Sequence, residues 1–456
     1  MSKKEKNEKM EKLVALCKRR GFVYPGSEIY GGLANTWDYG PYGVQLKKNI
    51  IDAWWRSFVT GRADMVGMDS AIFMNPKVWE ASGHVDNFTD PLVDCKKCKE
   101  RFRADHLAED NNIPLDQVVK LKCPNCGGEL TDPRTFNLLF ETHIGPVSKD
   151  ARPVYLRGEI AQGMFANFKN VIDSMRVRLP FGIAQYGKAF RNEITAGNYL
   201  FRQVEFNLME LEYFIAPPKD DGEWQEVFEH WLGQMKEWLR FLGVKDEELY
   251  FHEIPEDERA FYSKRTVDIE YHYPFGLKEL YGLAYRTDYD LKRHMDASGI
   301  DLRYTDPMTG EKVLPHVIEP TFGIDRTFLV SMLSAYREEE APTAEKGETD
   351  VRVVLDLPYA LAPVQVAILP LSKKEPLTDI AKKLDAELRP NFRVEYDETG
   401  SIGKRYRRQD EIGTPFCVTV DFETDNDKSV TLRDRNSMKQ ERVLLAELAD
   451  KLKEKL

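Results

Sequence analysis

The sequence predicts an α+β fold: a strand hairpin among helices, interrupted by a cysteine-knuckle insertion and followed by a smaller α/β domain. Three observations carry this expectation. The stretch 186–214, YGKAFRNEITAGNYLFRQVEFNLMELEYF, reads as two strands around a loop. Two CxxC pairs, Cys95 with Cys98 and Cys123 with Cys126, sit between strand-like runs. After about Asp356, short apolar strands alternate with helical segments.

A chain of 456 residues predicts two or three domains. Its 42% hydrophobic content supplies an ample core, yet no apolar run reaches membrane-spanning length. The N-terminus lacks the apolar core of a signal peptide, so a cytoplasmic location and no membrane contact are expected. A net charge of −11 argues against a chain that coats nucleic acid nonspecifically. Six cysteines are too few for a secreted disulfide scaffold.

Taken in order, Met10, Leu13, Val14, Leu16 and Cys17 are spaced for a helix. Residues 24–43 read as turns, and from Val44 a helix is expected. Its stripe of Leu46, Ile50, Ile51, Trp54, Trp55 and Phe58 must be buried, against this chain's core or a partner. His84, in WEASGHVDNFTDPLV, reads as a loop histidine, with a metal role as the alternative. The four cysteines Cys95, Cys98, Cys123 and Cys126 can present four thiolates tetrahedrally, which predicts a closed, structural Zn²⁺ site; disulfides and idle thiols are the competitors. Arg103 follows the first knuckle as an ordinary solvated charge would. Residues 136–168 combine a strand, a loop and YLRGEIAQGMF, with Glu159 at a helix start, where an acid suits the dipole.

In 186–214 the first strand is taken to carry Phe190, Arg191, Asn192 and Glu193, with Arg191 and Glu193 on one face. Ala196, Gly197 and Asn198 make the reversal, and Phe206, Leu208, Glu210 and Glu212 share a face of the second strand. An arginine, acids and an aromatic in phase suit a charged planar ligand; a solvated sheet face is the bland alternative. Residues 217–265 contain an amphipathic helix with Trp224, Phe228, Trp231, Trp238 and Leu239, and show no chemistry. Strand alternation resumes over 266–294, where Glu279, Asp288 and Asp290 are either Mg²⁺ ligands or surface acids. In PHVIEPTFGIDRTFLVSML, a strand and glycine turn lead to a helix with Asp325 and Arg326 at its start, a combination suited to anions. Residues 337–350 read as a linker. The segment 357–456 holds 18 basic and 18 acidic residues, so all the net negative charge lies before it. Within it Lys404, Arg405, Arg407 and Arg408 surround Tyr406, a pattern for single-stranded RNA or for a solvated helix face.

FRNE, a loop and FRQVEF resemble motif 2 of the class II aminoacyl-tRNA synthetases, and FNLMELEYF resembles the version found in homodimeric glycyl-tRNA synthetases. The 24–60 stretch is similar to motif 1 and residues 315–333 to motif 3, in the family's order and over nearly the whole chain, which implies the family's antiparallel sheet flanked by helices. The resemblance implies residues 1–350 as a catalytic domain, with insertions at 90–135 (zinc-binding) and 217–265 (helical), and residues 357–456 as an anticodon-binding domain. It implies ATP-dependent attachment of glycine to tRNA(Gly) through glycyl-adenylate, by a homodimer using Mg²⁺. Two alternatives stay open: an inactive RNA-binding or polymerase accessory relative, and a class II enzyme for another small amino acid.

By the same resemblance, ATP is held by Arg191, Asn192, Glu193, Phe201, Arg202, Gln203, Val204, Glu205, Phe206, Glu279, Leu280, Gly323, Ile324, Asp325 and Arg326, with Arg191 and Arg326 catalytic. Glycine is held by Arg103, Glu159, Phe206, Asn207, Leu208, Met209, Glu210, Glu319, Pro320, Thr321, Phe322 and Gly323. Thr321 departs from the serine the family often has there. His84 falls in a substrate-proximal loop, motif 1 forms a dimer interface, and the Lys404–Arg408 run contacts tRNA.

Overall fold

A computed structural model describes residues 3–145, 153–193, 197–342 and 349–456. Its centre is a seven-stranded sheet. In chain order the strands are β1 (Met65–Gly67), β2 (Phe181–Phe190), β3 (Glu205–Ile215), β4 (Leu249–Glu253), β5 (Arg265–Tyr273), β6 (Gly276–Thr287) and β7 (His316–Gly323). They lie side by side as β4-β5-β6-β7-β3-β2-β1, antiparallel except for the parallel β1–β2 edge. The hairpin read from 186–214 is therefore present as β2 and β3, with Phe206 opposite Ala189 and Glu210 opposite Gln185. Its first strand ends at Phe190, short of the expected Glu193. Beyond it, the Asn192 N–H turns to the Leu138 carbonyl and the Glu193 N–H folds back to Arg191, so neither continues the ladder. Ala196, expected in the reversal, lies outside the described residues.

Helices pack on both faces of the sheet, and one face carries the helices Pro41–Trp55, Asp221–Phe241 and Ile324–Ala335. Leu46, Ile50 and Trp54 of the helix Pro41–Trp55 are fully buried, and Trp54 meets Phe322 of β7 at 5.7 Å between rings. The apolar stripe expected to seek a partner thus packs mainly on the chain's own core, because β7 offers it a matching aromatic face. What remains exposed nearby is Ile29 (88%), Tyr30 (86%), Leu33 (64%) and Val44 (54%). The helix Asp221–Phe241 buries Trp224, Phe228, Trp231, Met235, Trp238 and Leu239 on the same core, as its periodicity predicts. The 217–265 insertion also supplies β4, the sheet's edge strand. His84 is not in a loop: it opens the short helix His84–Asn87 and is buried.

The 337–350 linker reading fails at both ends. Tyr336–Pro342 and Thr349–Leu355 pair antiparallel, with Glu338 opposite Val353 and Glu340 opposite Val351. Acids on a two-stranded ribbon are what an exposed edge tolerates, and they hid the strand period. A boundary at 350 falls inside this ribbon.

The C-terminal sheet consists of β8 (Val366–Pro370), β9 (Val394–Tyr396), β10 (Phe416–Val420), β11 (Ser429–Asp434) and β12 (Gln440–Leu444), ordered β9-β8-β10-β11-β12. The helix Leu377–Leu388 turns Leu377, Ala381, Leu384 and Leu388 onto it, and Leu448 and Leu452 of the last helix close the core. Between the two parts, Asp410 on the helix Ile402–Ile412 accepts from buried Arg352 at 2.7 Å and from Arg433 at 2.9 Å. Arg19 reaches Glu411 at 3.0 Å, and the Asn49 amide donates to the Leu361 carbonyl at 2.9 Å.

Candidate active site

The face of β3, β6 and β7 turned away from the helix Pro41–Trp55 floors a cleft of about 290 Å³. Strand alternation decides which expected residues reach it. Phe206, Leu208 and Glu210 of β3 line it, as do Thr321 and Gly323 of β7. Met209 and Phe322 point the other way into the hydrophobic core, and Ile324 is buried there too; none of these three can touch a ligand in the cleft. Pro320 also lies on that alternate phase. Glu205 is spent on an exposed ion pair with Lys188.

At one end the cleft is cationic. Arg191 donates to the Gly158 carbonyl at 3.0 Å and lies between the rings of Phe88 and Phe206, at 5.1 and 5.3 Å. Arg326 pairs with Glu279 at 3.2 Å and stacks over Phe201 at 4.6 Å. Arg202 stands 4.0 Å from Glu193, and Gln203 and Leu280 complete this wall. Arg103 lines the same cleft, held by Asp90 at 3.0 Å and by Asp105. Asp325 also borders it, but its carboxylate is already engaged: it accepts from the Tyr39 hydroxyl, the Asn207 backbone at 2.6 Å and the Asn207 amide at 3.1 Å. That carboxylate ties the motif 1, 2 and 3 segments together. Asn192 and Val204 contribute backbone pairing at the cleft edge.

At the other end three glutamates meet. Glu159, Glu210 and Glu319 share a cavity with Thr321 and Gly282. Across the sheet, Asp268, Gly282, Thr321, Glu210 and Gln185 form one row over five strands. Gly282 keeps that row open, since a Cβ there would approach only Asp268. Burial and the neighbouring Glu319 and Glu159 push the Glu210 carboxyl up to about 8, against the pull of Arg191. Burial likewise raises Glu319 to about 7, although Arg286 opposes it. Glu159 goes the other way: burial works against its charge, but His84 at 3.1 Å and Arg286 hold it well below the usual carboxylate range. Behind them Glu212 is fully buried with neither carboxyl oxygen hydrogen-bonded, and is pushed far up by burial and by Glu319. Such crowded acids favour arrival of a cation.

Several of these residues were not singled out from sequence. Arg286, wholly buried, donates to Asp290 at 2.7 Å and to Glu319 at 2.8 Å. Arg286 lies in β6 and Asp290 in the helix Tyr289–Ser298 that follows, so no single period of the sequence announces the pair. Asp268 is raised to about 7 by burial and by Glu279 and Glu270. Tyr262, Asp90 and Gly282 gave no local signal.

The four knuckle cysteines converge. All four sulfurs lie within 4.8 Å of one another, with Cys95 and Cys126 3.5 Å apart and Cys98 and Cys123 3.7 Å apart. Thiolates about 2.3 Å from a tetrahedral metal would have separations of this size. The backbone N–H groups of Lys97 and Cys98 aim at the Cys95 sulfur, and a Cβ on Gly128 would strike that sulfur at 2.9 Å. The arrangement can hold a metal ion.

In the C-terminal part the basic run separates. Arg405 is buried and donates to the Pro370 carbonyl at 2.7 Å and the Asp397 carbonyl at 3.1 Å, so it is a structural residue and not an RNA contact. Arg408 is tied to Asp397 and the Thr399 carbonyl. Lys404 is exposed and Arg407 half-buried. A helix buries one side, and four cations within five residues cannot all face out.

Comparison with known proteins agrees with this geometry. Residues 142–336 match the tRNA synthetase class II core domain (G, H, P, S and T), and residues 365–455 match the anticodon binding domain. The chain is 53% identical to the glycine–tRNA ligase of Geobacillus kaustophilus, over 98% of this chain and 99% of that one. The chain belongs to the glycine–tRNA ligase family. Glycine–tRNA ligases of Treponema denticola (51% identical, 97% of this chain and 96% of theirs) and Thermobifida fusca (50%, 99% of both) are similar over the same span. A prolyl-tRNA synthetase structure from Cryptosporidium parvum, complexed with halofuginone and AMPPNP, superposes with a TM-score of 0.64 at 16% identity, covering 97% of this chain and 76% of that one. It shows the shared fold.

Proposed function

We propose that the chain activates glycine with ATP and transfers it to tRNA(Gly). The observation that carries this is the meeting of Glu159, Glu210 and Glu319 at the end of a cleft whose other end holds Arg191, Arg202 and Arg326. A zwitterion with no side chain can be gripped only by its ammonium and carboxylate. The glutamates and Thr321 would take the ammonium. The carboxylate would then lie toward Arg191, where it can attack the α-phosphorus of ATP and release pyrophosphate. Arg191 would stabilise charge developing on that phosphate, and Arg202 and Arg326 would clamp the outer phosphates. Phe206 and Glu193 would hold the adenine, and Arg103 would reach the amino-acid carboxylate. Mg²⁺ near Glu279, when bound, would neutralise phosphate charge. The 3′-terminal ribose hydroxyl of tRNA then attacks the glycyl carbonyl, and AMP leaves.

An inactive RNA-binding relative is not favoured, since Arg191, Arg202 and Arg326 all face the cleft. Zn²⁺ on the four cysteines is supported by their sulfur spacing, and tRNA contact by the exposed Lys404 with the half-buried Arg407 beside it. A homodimer is supported by the exposed Ile29, Tyr30, Leu33 and Val44 beside the motif 1 helix; sedimentation at two subunit masses checks it. Among the described residues no helix is long and apolar enough to cross a membrane, and cytoplasmic residence remains part of this reading.

The deciding experiment is ATP–pyrophosphate exchange with each amino acid in turn, followed by charging of tRNA(Gly). Glycine alone should drive exchange. Equal exchange with alanine or serine would overturn the amino-acid assignment, and no exchange with any of them would overturn the enzyme reading.

A further inference from the structure

The loop between β4 and β5, residues 254–264, belongs by sequence to an insertion with no evident chemistry. In the folded chain it reaches the glutamate cavity. Ala260 and Tyr262 line that cavity together with Glu159, Glu210, Glu319 and Thr321. The loop is fastened at its neck. The Arg259 guanidinium donates to the Ile254 carbonyl at 2.8 Å and also to the Lys264 carbonyl, the two ends of the loop. The Ile254 N–H donates to the Thr266 carbonyl at 3.0 Å, and the Ser263 hydroxyl to the Arg265 carbonyl at 2.7 Å. Phe261 packs on Tyr289 with rings 5.7 Å apart.

So fastened, the loop lays the Tyr262 ring over Arg286, 3.7 Å from guanidinium carbon to ring centroid, with Phe165 also near that guanidinium at 5.3 Å. Arg286 in turn donates to Glu319 at 2.8 Å and to both oxygens of Asp290. Asp290 accepts from Gln162 at 2.9 Å, and the same amide donates to Glu159 at 3.0 Å. Two of the three pocket glutamates are therefore oriented through one guanidinium and its partners, and Tyr262 shields that guanidinium on the cavity side.

We propose that the 254–264 loop is the outer wall of the amino-acid pocket and that Tyr262 is a positioning residue for glycine, acting through Arg286 on Glu319. The proposal rests on the reading of the glutamate cavity as the glycine site. An aromatic face over a desolvated guanidinium strengthens the ion pairs beneath it by keeping water away. Without the ring, water reaches Arg286, and Glu319 loses its fixed orientation. Among the described ring contacts Tyr262 meets Arg286 and Phe261, and none of Arg191, Arg202 and Arg326.

The test is steady-state exchange kinetics on the full-length chain carrying Tyr262→Ala, Tyr262→Phe or Arg259→Ala. Tyr262→Ala should raise the glycine KM about tenfold, the size expected for loss of a desolvated cation–π contact, with kcat and the ATP KM changed less than about twofold. Tyr262→Phe keeps the ring face and should restore the glycine KM. Arg259→Ala frees the loop neck and should reproduce the Tyr262→Ala pattern even where the latter folds poorly. A glycine KM unchanged in Tyr262→Ala and Arg259→Ala, an equal rise in the ATP KM, or a Phe variant as impaired as Ala would each overturn the proposal. Wild-type protein showing no glycine-dependent exchange would instead overturn the functional reading itself.

Discussion

At the residue scale, the pocket works through carboxylates that burial has placed out of their ordinary range. Glu210 at about 8 is mostly protonated at neutral pH in the free protein. An ammonium beside it favours the ionised form, so binding glycine should expel a proton. The sign follows: glycine affinity rises with pH until Glu210 is ionised without help, and falls as pH drops through about 8 and again through about 7 for Glu319. The glycine KM should therefore decrease from pH 6.5 to 8.5 while the ATP KM changes little, as exchange kinetics across that range will show. Glu210→Gln should remove the upper part of this dependence and weaken glycine use by about 1.5–3 kcal/mol, the worth of a charged hydrogen bond. A glycine KM unaltered by Glu210→Gln would mean that the ammonium sits elsewhere.

At the element scale, the knuckles at Cys95–Cys98 and Cys123–Cys126 hold a small core of their own around Val93, Leu107, Val118 and Leu130. Too small to persist alone, such a core would depend on a metal held by the four cysteines. Purified protein should carry about one zinc per chain, and chelation should unfold the insertion before the main sheet. Proteolysis confined to 95–130 after chelation would show this; a disulfide among these cysteines would contradict it. These elements were legible because their signals are local: a CxxC pair, a 3.6-residue stripe in Asp221–Phe241, an alternating β3. Arg405 was misread for the complementary reason. A run of cations looks alike whether it faces solvent or the Pro370 carbonyl, and only the packing of the helix on β8 separates the two. The end of β2 at Phe190 and the reach of Tyr262 to Arg286 likewise depend on partners far along the chain, to which periodicity is blind.

At the scale of the whole molecule, the ribbon that follows the catalytic sheet is joined to the C-terminal sheet through buried charge. Asp410 faces both Arg352 and Arg433 and is 0% to 5% exposed along with them. Removing one partner of a buried ion group leaves the others uncompensated, a cost of about 3–5 kcal/mol. Asp410→Ala should lower stability by that amount in denaturant titration and loosen the C-terminal part, so that tRNA charging suffers more than glycine–ATP exchange. Equal loss of both activities would mean that the junction serves the fold alone. The row Asp268, Gly282, Thr321, Glu210 and Gln185 has a different consequence. Three of the five strands that carry it, β6, β7 and β3, have a paired neighbour on both sides within this row, while β5 is flanked by β4 and β2 by β1. Amide protons along the row should exchange with deuterated water only when the whole sheet opens, whereas those of the loops at 197–204 and 254–264 exchange through local openings. Selection of the amino acid would then be a fixed property of the slowest-exchanging part of the protein, and whatever must move to admit and release substrates is confined to its fast-exchanging rim.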